Sequence, residues 1–293
     1  MRKTGLFLAS IVLSATLWAE LPEKKGLDVI NRANAEAYIG FLASDALEGR
    51  EAGFRGGRIA GEYIVSNLKT MGIEPLFESY YQPFEAYNKE RQKKGRFQVH
   101  PDSIAKLKQG VHQKLSMNNI LGKIEGKNPN EYVIIGAHYD HLGFDPMLDG
   151  DRVYNGADDN ASGVSAVLQV AKAFLATGVQ PERTVIFAFW DGEEKGLLGS
   201  KYFVQTFSEM DKVKGYLNYD MIGRNKDESK PMHVVYFYTE AHPVFGDWLK
   251  NDIKKYGLNL TPDYRPWDKP VGGSDNASFA LLDIPVIWYH TDG

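Results

Sequence analysis

Two apolar runs of this chain lead directly into polar, ionisable residues: Tyr132-Val133-Ile134-Ile135, before His138-Tyr139-Asp140-His141, and Thr184-Val185-Ile186-Phe187-Ala188-Phe189-Trp190, before Asp191-Gly192-Glu193-Glu194. Continuous apolar runs of this length are typical of strands buried on both faces of a sheet. Open α/β sheets bind their ligands at the carboxyl ends of their strands. The two stretches therefore predict an α/β sheet with a functional site at its strand ends.

The rest of the chain alternates between strand-like and helix-like segments. Further strands are predicted at residues 120–124, 216–219, 233–238 and 285–289, and helices at 57–71, 163–176, 199–205 and 242–255. This alternation favours an α/β fold of three layers, in which helices cover both faces of a mostly parallel, mixed central sheet. Residues 87–114 are basic without clear periodicity and are predicted to be a solvated insertion.

Composition excludes several classes of site. The 293 residues contain no cysteine, so disulfides, thiolate metal sites and cysteine nucleophiles are impossible, and a transition metal would need imidazole and carboxylate ligands. The net charge of −4 lacks the basic character of a nucleic-acid-binding domain. We therefore predict no nucleic-acid partner.

The first residues have the pattern of a signal peptide. Arg2 and Lys3 precede an apolar stretch over residues 5–17, and Ala19 is a plausible cleavage position. The apolar stretch is too short for an ordinary membrane span. We predict a signal peptide at residues 1–19, export to the periplasm or the medium, and no integral membrane segment after its removal.

The first polar cluster offers a histidine and a carboxylate. In an extended segment His138 and Asp140 point to the same side, so the carboxylate can reach the ring. Metal-bound histidines usually donate their second N–H to a carboxylate, which fixes the tautomer of the ring. Between the two runs, Asp158 and Asp159 are flanked by small residues over 156–163, and a carboxylate with two free oxygens can bridge two cations.

The other two clusters supply more carboxylates. One glutamate of the Glu193-Glu194 pair could bind a metal while its neighbour acts as a general base toward water. Asp220 follows a further short apolar strand. Any one of these residues alone would be explained as a turn former or a solvated side chain. Four strand ends that all carry His, Asp or Glu together predict a metal site.

These motifs resemble the co-catalytic zinc aminopeptidases, a family that includes bacterial leucyl aminopeptidases, glutamate carboxypeptidase II and the glutaminyl cyclases. The resemblance rests on residues 137–140, 156–163, 191–194, 218–220 and 273–275, and residues 47–50 are similar to exported bacterial members. It implies a single zinc-peptidase domain over residues 20–293. It also implies zinc-dependent hydrolysis of peptide substrates, with removal of N-terminal residues.

The resemblance also implies a site with two zinc ions. His138 and Asp220 would hold one zinc, Glu194 the other, and Asp159 would bridge them. Asp140 would orient His138, and Glu193 would be the general base. The peptide bond between Asp159 and Asn160 would be cis.

The chain departs from the family pattern in two places. Asn276 follows Ser274-Asp275 where relatives often have histidine, which we expect to change only the pocket. Relatives also carry a further zinc ligand, a histidine beyond the final strand. Because the sequence ends at Gly293, we expect this domain to lack its C-terminal end and the second zinc site to be incomplete; the alternative is that His290 is that ligand.

Three other functions stay open from the sequence. A glutaminyl cyclase would share the fold with a single zinc. A carboxypeptidase would need cationic residues for the substrate carboxylate, for which Arg224 and Arg265 are candidates. A catalytically inactive binding module would keep the fold without turnover.

Overall fold

The computed structural model of the protein describes residues 21–89, 96–267 and 272–292. The predicted signal peptide lies outside the described residues. Eight helices are described: α1 (Pro22–Asp28), α2 (Arg32–Leu42), α3 (Arg55–Met71), α4 (Pro101–Leu107), α5 (Gly163–Thr177), α6 (Leu198–Thr206), α7 (Val244–Lys255) and α8 (Asn276–Ala280). Short helical turns occupy Asp45–Arg50, Ala157–Ser162 and Met210–Lys212.

The described strands form one large sheet and one small one. They are β1 (Glu74–Pro75), β2 (Tyr81–Lys89), β3 (His112–Ile124), β4 (Asn128–His138), β5 (Gly143–Phe144), β6 (Val153–Tyr154), β7 (Arg183–Trp190), β8 (Val213–Tyr219), β9 (His233–Thr239), β10 (Thr261–Trp267) and β11 (Val286–His290). The large sheet has nine strands in the order β1-β3-β7-β4-β8-β11-β9-β10, with β2 paired to β3, and β5 pairs with β6.

The centre of the large sheet is parallel. The four central strands β7, β4, β8 and β11 run parallel to one another. Strand β3 pairs antiparallel with β7, strand β9 pairs antiparallel with β11, and β9 and β10 are parallel to each other. The predicted mostly parallel, mixed sheet is confirmed.

Successive side chains of the central strands point to opposite faces of the large sheet, so a hydrophobic core lies on each face. Val185, Phe187 and Phe189 of β7 pack with residues of α3 and α5, whereas Ile186 and Trp190 pack on the other face, beside Phe203 of α6 and Phe279 of α8. Both faces are therefore covered by helices, which confirms the three-layer α/β class. It also explains why β7 is apolar at nearly every position.

Besides the two-residue strands β1, β5 and β6, two longer strands were not predicted from the sequence, and both contain proline. Residues 81–89 pair antiparallel with β3 in a long hairpin, so the prediction of a solvated insertion over 87–114 is wrong at both ends of that segment. Strand β10 pairs only with β9 and carries Pro262 and Pro266. Proline cannot donate to a ladder and is confined to edges, so both strands lack the apolar pattern of a central strand.

The register of the central strands places three chain segments at one edge. His138 at the end of β4 is level with Trp190 at the end of β7. Gly136 is level with Asn218 of β8, so Asp220 lies two residues beyond, beside His138. Within the described residues, no helix has the length and apolar character needed to cross a membrane.

Candidate metal centre

A first group of candidate metal ligands lies at the strand ends. His138 Nε2 is 3.1 Å from Asp159 Oδ1 and 3.5 Å from Asp220 Oδ1. The side chain of His138 is 1% exposed and that of Asp220 is 8% exposed. We call His138, Asp159 and Asp220 the strand-end group. Imidazole nitrogen and carboxylate oxygen are donors that suit zinc.

A second group is built from turns that follow the strands. His141 Nδ1 is 2.7 Å from Glu194 Oε1 and 4.0 Å from Asp159 Oδ2. We call His141, Asp159 and Glu194 the turn group. Within each group the candidate ligand atoms all lie within 4.8 Å of one another. Asp159 belongs to both groups and turns one oxygen toward each, which is the geometry of a bridging carboxylate.

Hydrogen bonding of His138 fixes which ring nitrogen can bind a metal. Its Nδ1 lies 3.2 Å from the backbone oxygen of Asp140, so in the neutral ring Nδ1–H donates to this carbonyl and Nε2 keeps its lone pair. That lone pair then faces two carboxylate oxygens, an arrangement that is repulsive unless a proton or a cation lies between them. Asp220 Oδ1 is buried and makes no hydrogen bond within the described part of the chain.

The carboxylate of Asp140 contacts the turn that carries the two glutamates. Its oxygens accept hydrogen bonds from the backbone N–H of Glu193 at 3.0 Å and of Glu194 at 3.4 Å, and Oδ1 lies 3.6 Å from His138 Nδ1. Asp140 is fully buried. It therefore orients His138 mainly through its backbone carbonyl, while its carboxylate fixes the position of Glu193 and Glu194.

The turn Ala157–Ser162 presents Asp159 to both groups. The Asp159–Asn160 peptide bond is cis, which confirms the expectation from the resemblance. Asn160 donates to the Tyr219 carbonyl at 2.9 Å, which joins this turn to the end of β8. Asp158, the other acid of the pair, accepts from the Gly223 N–H at 2.7 Å. The two consecutive aspartates thus serve different purposes: Asp159 faces the metal groups and Asp158 holds the loop after Asp220.

A buried arginine lies beneath the site. Arg50 is 1% exposed, and its guanidinium donates to the carbonyl oxygens of Leu42, Tyr139, Asn155 and Gly156. Gly156 has a positive φ of 59°, and a Cβ there would lie only 2.7 Å from Arg50 Nη2 and 2.3 Å from the Asp159 carbonyl oxygen. Arg50 and this glycine together let the aspartate turn pack against the His138 segment.

The charges of the cluster shift the pKa values of its members. Burial alone would lower the pKa of His138, but Asp220, Glu193, Asp140 and Asp159 together raise it well above its ordinary value. Burial raises the pKa of Glu193 to about 9, and neighbouring aspartates add to this effect. Burial would also raise the pKa of Asp159, but the imidazoles of His138 and His141 and the guanidinium of Arg50 lower it below its usual range.

The fold brings together all six residues predicted from the sequence: His138, Asp140, Asp159, Glu193, Glu194 and Asp220. The sequence interpretation missed His141, which belongs to the turn group. His290 belongs to neither group among the described residues; its Nδ1 lies 2.9 Å from the Asp220 carbonyl oxygen and its ring stacks on Trp288. Of the two candidates for a carboxylate-binding cation, Arg265 is paired with Asp263 and Asp292.

Known proteins are similar to parts of this sequence. The leupeptin-inactivating enzyme 1 of Streptomyces exfoliatus is 34% identical over 170 residues, which cover 57% of this chain and 34% of that protein. An aminopeptidase of Pseudomonas aeruginosa is 38% identical over 115 residues, which cover 39% of this chain and 19% of its own length. The chain thus spans about a third or less of the length of these two relatives.

A solved structure has the same fold. The zinc aminopeptidase of Bacillus subtilis superposes with a TM-score of 0.63 at 17% identity, over 93% of this chain and 86% of that one. Residues 119–293 match peptidase family M28. These residues are more than half of the sequence and include the strand-end group and the turn group. The chain therefore belongs to peptidase family M28.

Proposed function

We propose that this protein is a zinc-dependent aminopeptidase that removes N-terminal residues from peptides at the two donor groups. The observation that carries this proposal is the sharing of Asp159 between the strand-end group and the turn group, with Glu193 on the adjoining turn. The aminopeptidases among its relatives support the reaction type. A second donor group favours a hydrolase over the glutaminyl cyclase alternative, which the resemblance associates with a single zinc.

The residues fit zinc on two counts. The donor set is imidazole and carboxylate, with no thiolate, which zinc accepts. Nε2 of His138 lies 3.1 and 3.5 Å from oxygens of Asp159 and Asp220, and a cation between these atoms would be held by the imidazole and both carboxylates in place of a proton. We propose that the strand-end group holds one zinc and that the turn group holds the second. Zinc bound there would polarise the scissile carbonyl and lower the pKa of the attacking water.

Glu193 is the proposed general base. Its backbone N–H donates to the Asp140 carboxylate at 3.0 Å, which holds the residue on the turn beside Glu194 of the turn group. The carboxylate would take a proton from water as the oxygen adds to the peptide carbonyl carbon. The same proton would then pass to the leaving amine nitrogen as the C–N bond breaks, which returns Glu193 to its ionised form.

Hydrolysis of leucyl-p-nitroanilide by the zinc-loaded chain tests this function. We expect turnover, and Glu193→Gln should lower kcat by about 10²–10⁴-fold with zinc content unchanged, because a general base contributes that much. Glu240→Gln, at an exposed glutamate, is the matched control and should leave kcat unchanged.

N-acetyl-leucyl-p-nitroanilide tests the need for a free N-terminus. An aminopeptidase should not cleave the blocked substrate. Equal cleavage of the blocked and free substrates would contradict N-terminal specificity. A zinc-loaded protein that cleaves neither substrate would contradict the whole proposal and favour the inactive binding module.

We also propose that the protein is exported. Residues 1–19 support this with their charged start and apolar stretch. Expression in a bacterial host followed by mass spectrometry of the periplasmic protein tests it. Loss of a segment of about this length is expected with a leader of this kind, and an intact N-terminus in the cytoplasmic fraction would contradict export.

A further inference from the structure

A cavity of about 600 Å³ adjoins the metal groups. Its lining includes Glu193 and Glu194 and three cationic residues, Arg96, Lys195 and Lys201. We call this space the cationic cavity. Because Glu193 is the proposed base, any group that occupies the cavity lies beside the reacting carbonyl. The cavity is therefore positioned to select the substrate.

Two of the three cations are available to a ligand. Lys195 Nζ is 2.9 Å from Glu51 Oε1, so its charge is already compensated. Lys201 Nζ donates to the Gly196 carbonyl at 2.8 Å, a neutral acceptor. Among the described residues, neither Lys201 nor Arg96 forms an ion pair. Glu193 is the proposed general base and Glu194 belongs to the turn group, so their carboxylates already have other roles.

The fold holds these two cations near each other. Burial lowers the pKa of Lys201 and the positive charge of Arg96 lowers it further, against a smaller opposite effect of Asp275 and Glu193. Lys201 lies on α6, directly after the turn that carries Glu193 and Glu194. The backbone near Arg96 is fixed by Gln98, which exchanges hydrogen bonds with Tyr87 of β2 at 2.8 and 3.0 Å. Two like charges that face one cavity repel each other until an anion lies between them.

The turn between the glutamates and α6 is itself constrained. Gly196 has φ of 114° and Leu197 has φ of 60°, a backbone region that is uncommon for leucine. The N–H groups of both residues donate to the Glu193 carbonyl at 2.8 Å. This geometry aims the Gly196 carbonyl at Lys201 and fixes the ammonium group on the cavity wall. Non-glycine residues in this conformation cluster at functional sites.

We propose that Arg96 and Lys201 form a subsite for a carboxylate of the peptide substrate, so the enzyme prefers peptides with an acidic group beside the scissile bond. The proposal rests on the proposed peptidase function. Arginine binds carboxylates through two parallel hydrogen bonds, and lysine adds a point charge. The carboxylate comes either from an acidic side chain or from the free carboxyl end of a dipeptide.

Three matched pairs of substrates distinguish these sources. Aspartyl- against asparaginyl-p-nitroanilide tests the N-terminal side chain, and Leu-Asp-amide against Leu-Asn-amide tests the next side chain. Leu-Ala against Leu-Ala-amide tests the free carboxyl end. We expect the acidic member of one pair to have a kcat/KM about tenfold higher or more, the size of one charge-assisted contact. Equal values in all three pairs would overturn the proposal.

Variants identify the residues responsible. The acidic preference is the ratio of kcat/KM for the acidic substrate to kcat/KM for its neutral partner. Arg96→Gln and Lys201→Gln should each reduce this ratio toward one, whereas Lys201→Arg should retain most of it because the charge remains. Lys214→Gln, at an exposed lysine outside the cavity, is the matched control and should keep the wild-type ratio. An unchanged ratio in both glutamine variants would overturn the proposal.

A binding measurement separates this proposal from the peptidase function. Isothermal titration of the zinc-loaded chain with glutarate and with glutaramide needs no turnover. Glutarate should bind at least about tenfold more tightly, and Arg96→Gln should remove the difference. Equal binding would overturn the subsite even in an active enzyme. Tighter glutarate binding in an inactive protein would support the subsite while the peptidase function fails.

Discussion

The strand-end group and the turn group share Asp159 but are built on different kinds of backbone. His138 and Asp220 follow strands β4 and β8, whose pairing fixes their separation, and their side chains are 1% and 8% exposed. His141 and Glu194 lie on turns and are 10% and 18% exposed. Sites on strands are held more rigidly than sites on loops. We therefore expect the strand-end group to bind zinc more tightly than the turn group.

The turns depend on two buried residues, Arg50 and Asp140, that belong to neither the strand-end group nor the turn group. The backbone N–H of His141 donates to the Arg50 carbonyl at 3.1 Å, and Asp140 holds the N–H groups of Glu193 and Glu194. Arg50 also binds the segments before His141 and Asp159 through the Tyr139 and Gly156 carbonyls. A change at Arg50 should therefore affect the turn group more than the strand-end group.

The largest effect is expected from His138→Ala, which removes the most buried ligand. Loss of the tightly held zinc should lower kcat/KM for leucyl-p-nitroanilide by roughly 10³-fold or more, since metal polarisation contributes several kcal/mol. Elemental analysis should find the zinc content reduced. His242→Ala, at an exposed histidine, is the control. Retention of all bound zinc in His138→Ala would contradict the assignment of this ligand.

Arg50→Met should destabilise the fold and loosen the turn group. The substitution leaves the carbonyl oxygens of Leu42, Tyr139, Asn155 and Gly156 without this donor, and we expect a loss of roughly 3 kcal/mol in the free energy of unfolding. Urea denaturation measures the loss, with Arg58→Met at an exposed position as the control. An equal loss of zinc affinity at the strand-end group and the turn group would contradict the expectation that Arg50 mainly supports the turn group.

His141→Ala should remove only the weaker zinc. The strand-end group keeps all its ligands, so one zinc should stay bound while the affinity for the second falls by about 10–100-fold, the scale of a perturbed metal site. Zinc titration followed by calorimetry measures both steps. An unchanged second step would mean that His141 is only a hydrogen-bond partner of Glu194.

The smallest effect concerns pH. Because the carboxylates raise the pKa of His138 well above its ordinary value, the metal-free ring is protonated at neutral pH, and zinc must displace that proton. Affinity of the strand-end group should therefore rise with pH, by about tenfold per unit while one proton is released. Calorimetry in buffers of different ionisation enthalpy counts the protons. Zinc binding without proton release at pH 7 would contradict the raised pKa.

The sequence predicts that His138 and Asp220 lie close together because each follows a strand of the same sheet. The apolar runs locate β4, β7 and β8, and parallel pairing then brings His138 and Asp220 together. Asp159 and Glu194 follow from the family resemblance. The strands β2 and β10 were not predicted, since their prolines interrupt the apolar pattern that reveals a buried strand.

His141 was not predicted because the alternation of side chains between the two faces of a sheet holds only within a strand. An extended chain would put His141 on the face opposite His138. Strand β4 ends at His138, and the backbone of His141 instead pairs beside Glu51, which turns its ring toward Glu194. The sequence does show a second histidine in His138-Tyr139-Asp140-His141. The direction of its side chain, however, depends on the tertiary contact of its backbone with residues 50 and 51.

Zinc stoichiometry of the intact chain and of Asp159→Asn tests the central claim most directly, since among the described residues Asp159 alone belongs to both groups. The purified chain would be loaded with zinc, dialysed against a graded series of chelator concentrations and measured by elemental analysis. We predict two zinc ions that leave in two separate steps, and in Asp159→Asn a lowered affinity at both steps. A single zinc in the wild-type chain, or an Asp159→Asn variant that loses only one of the two, would contradict a shared carboxylate.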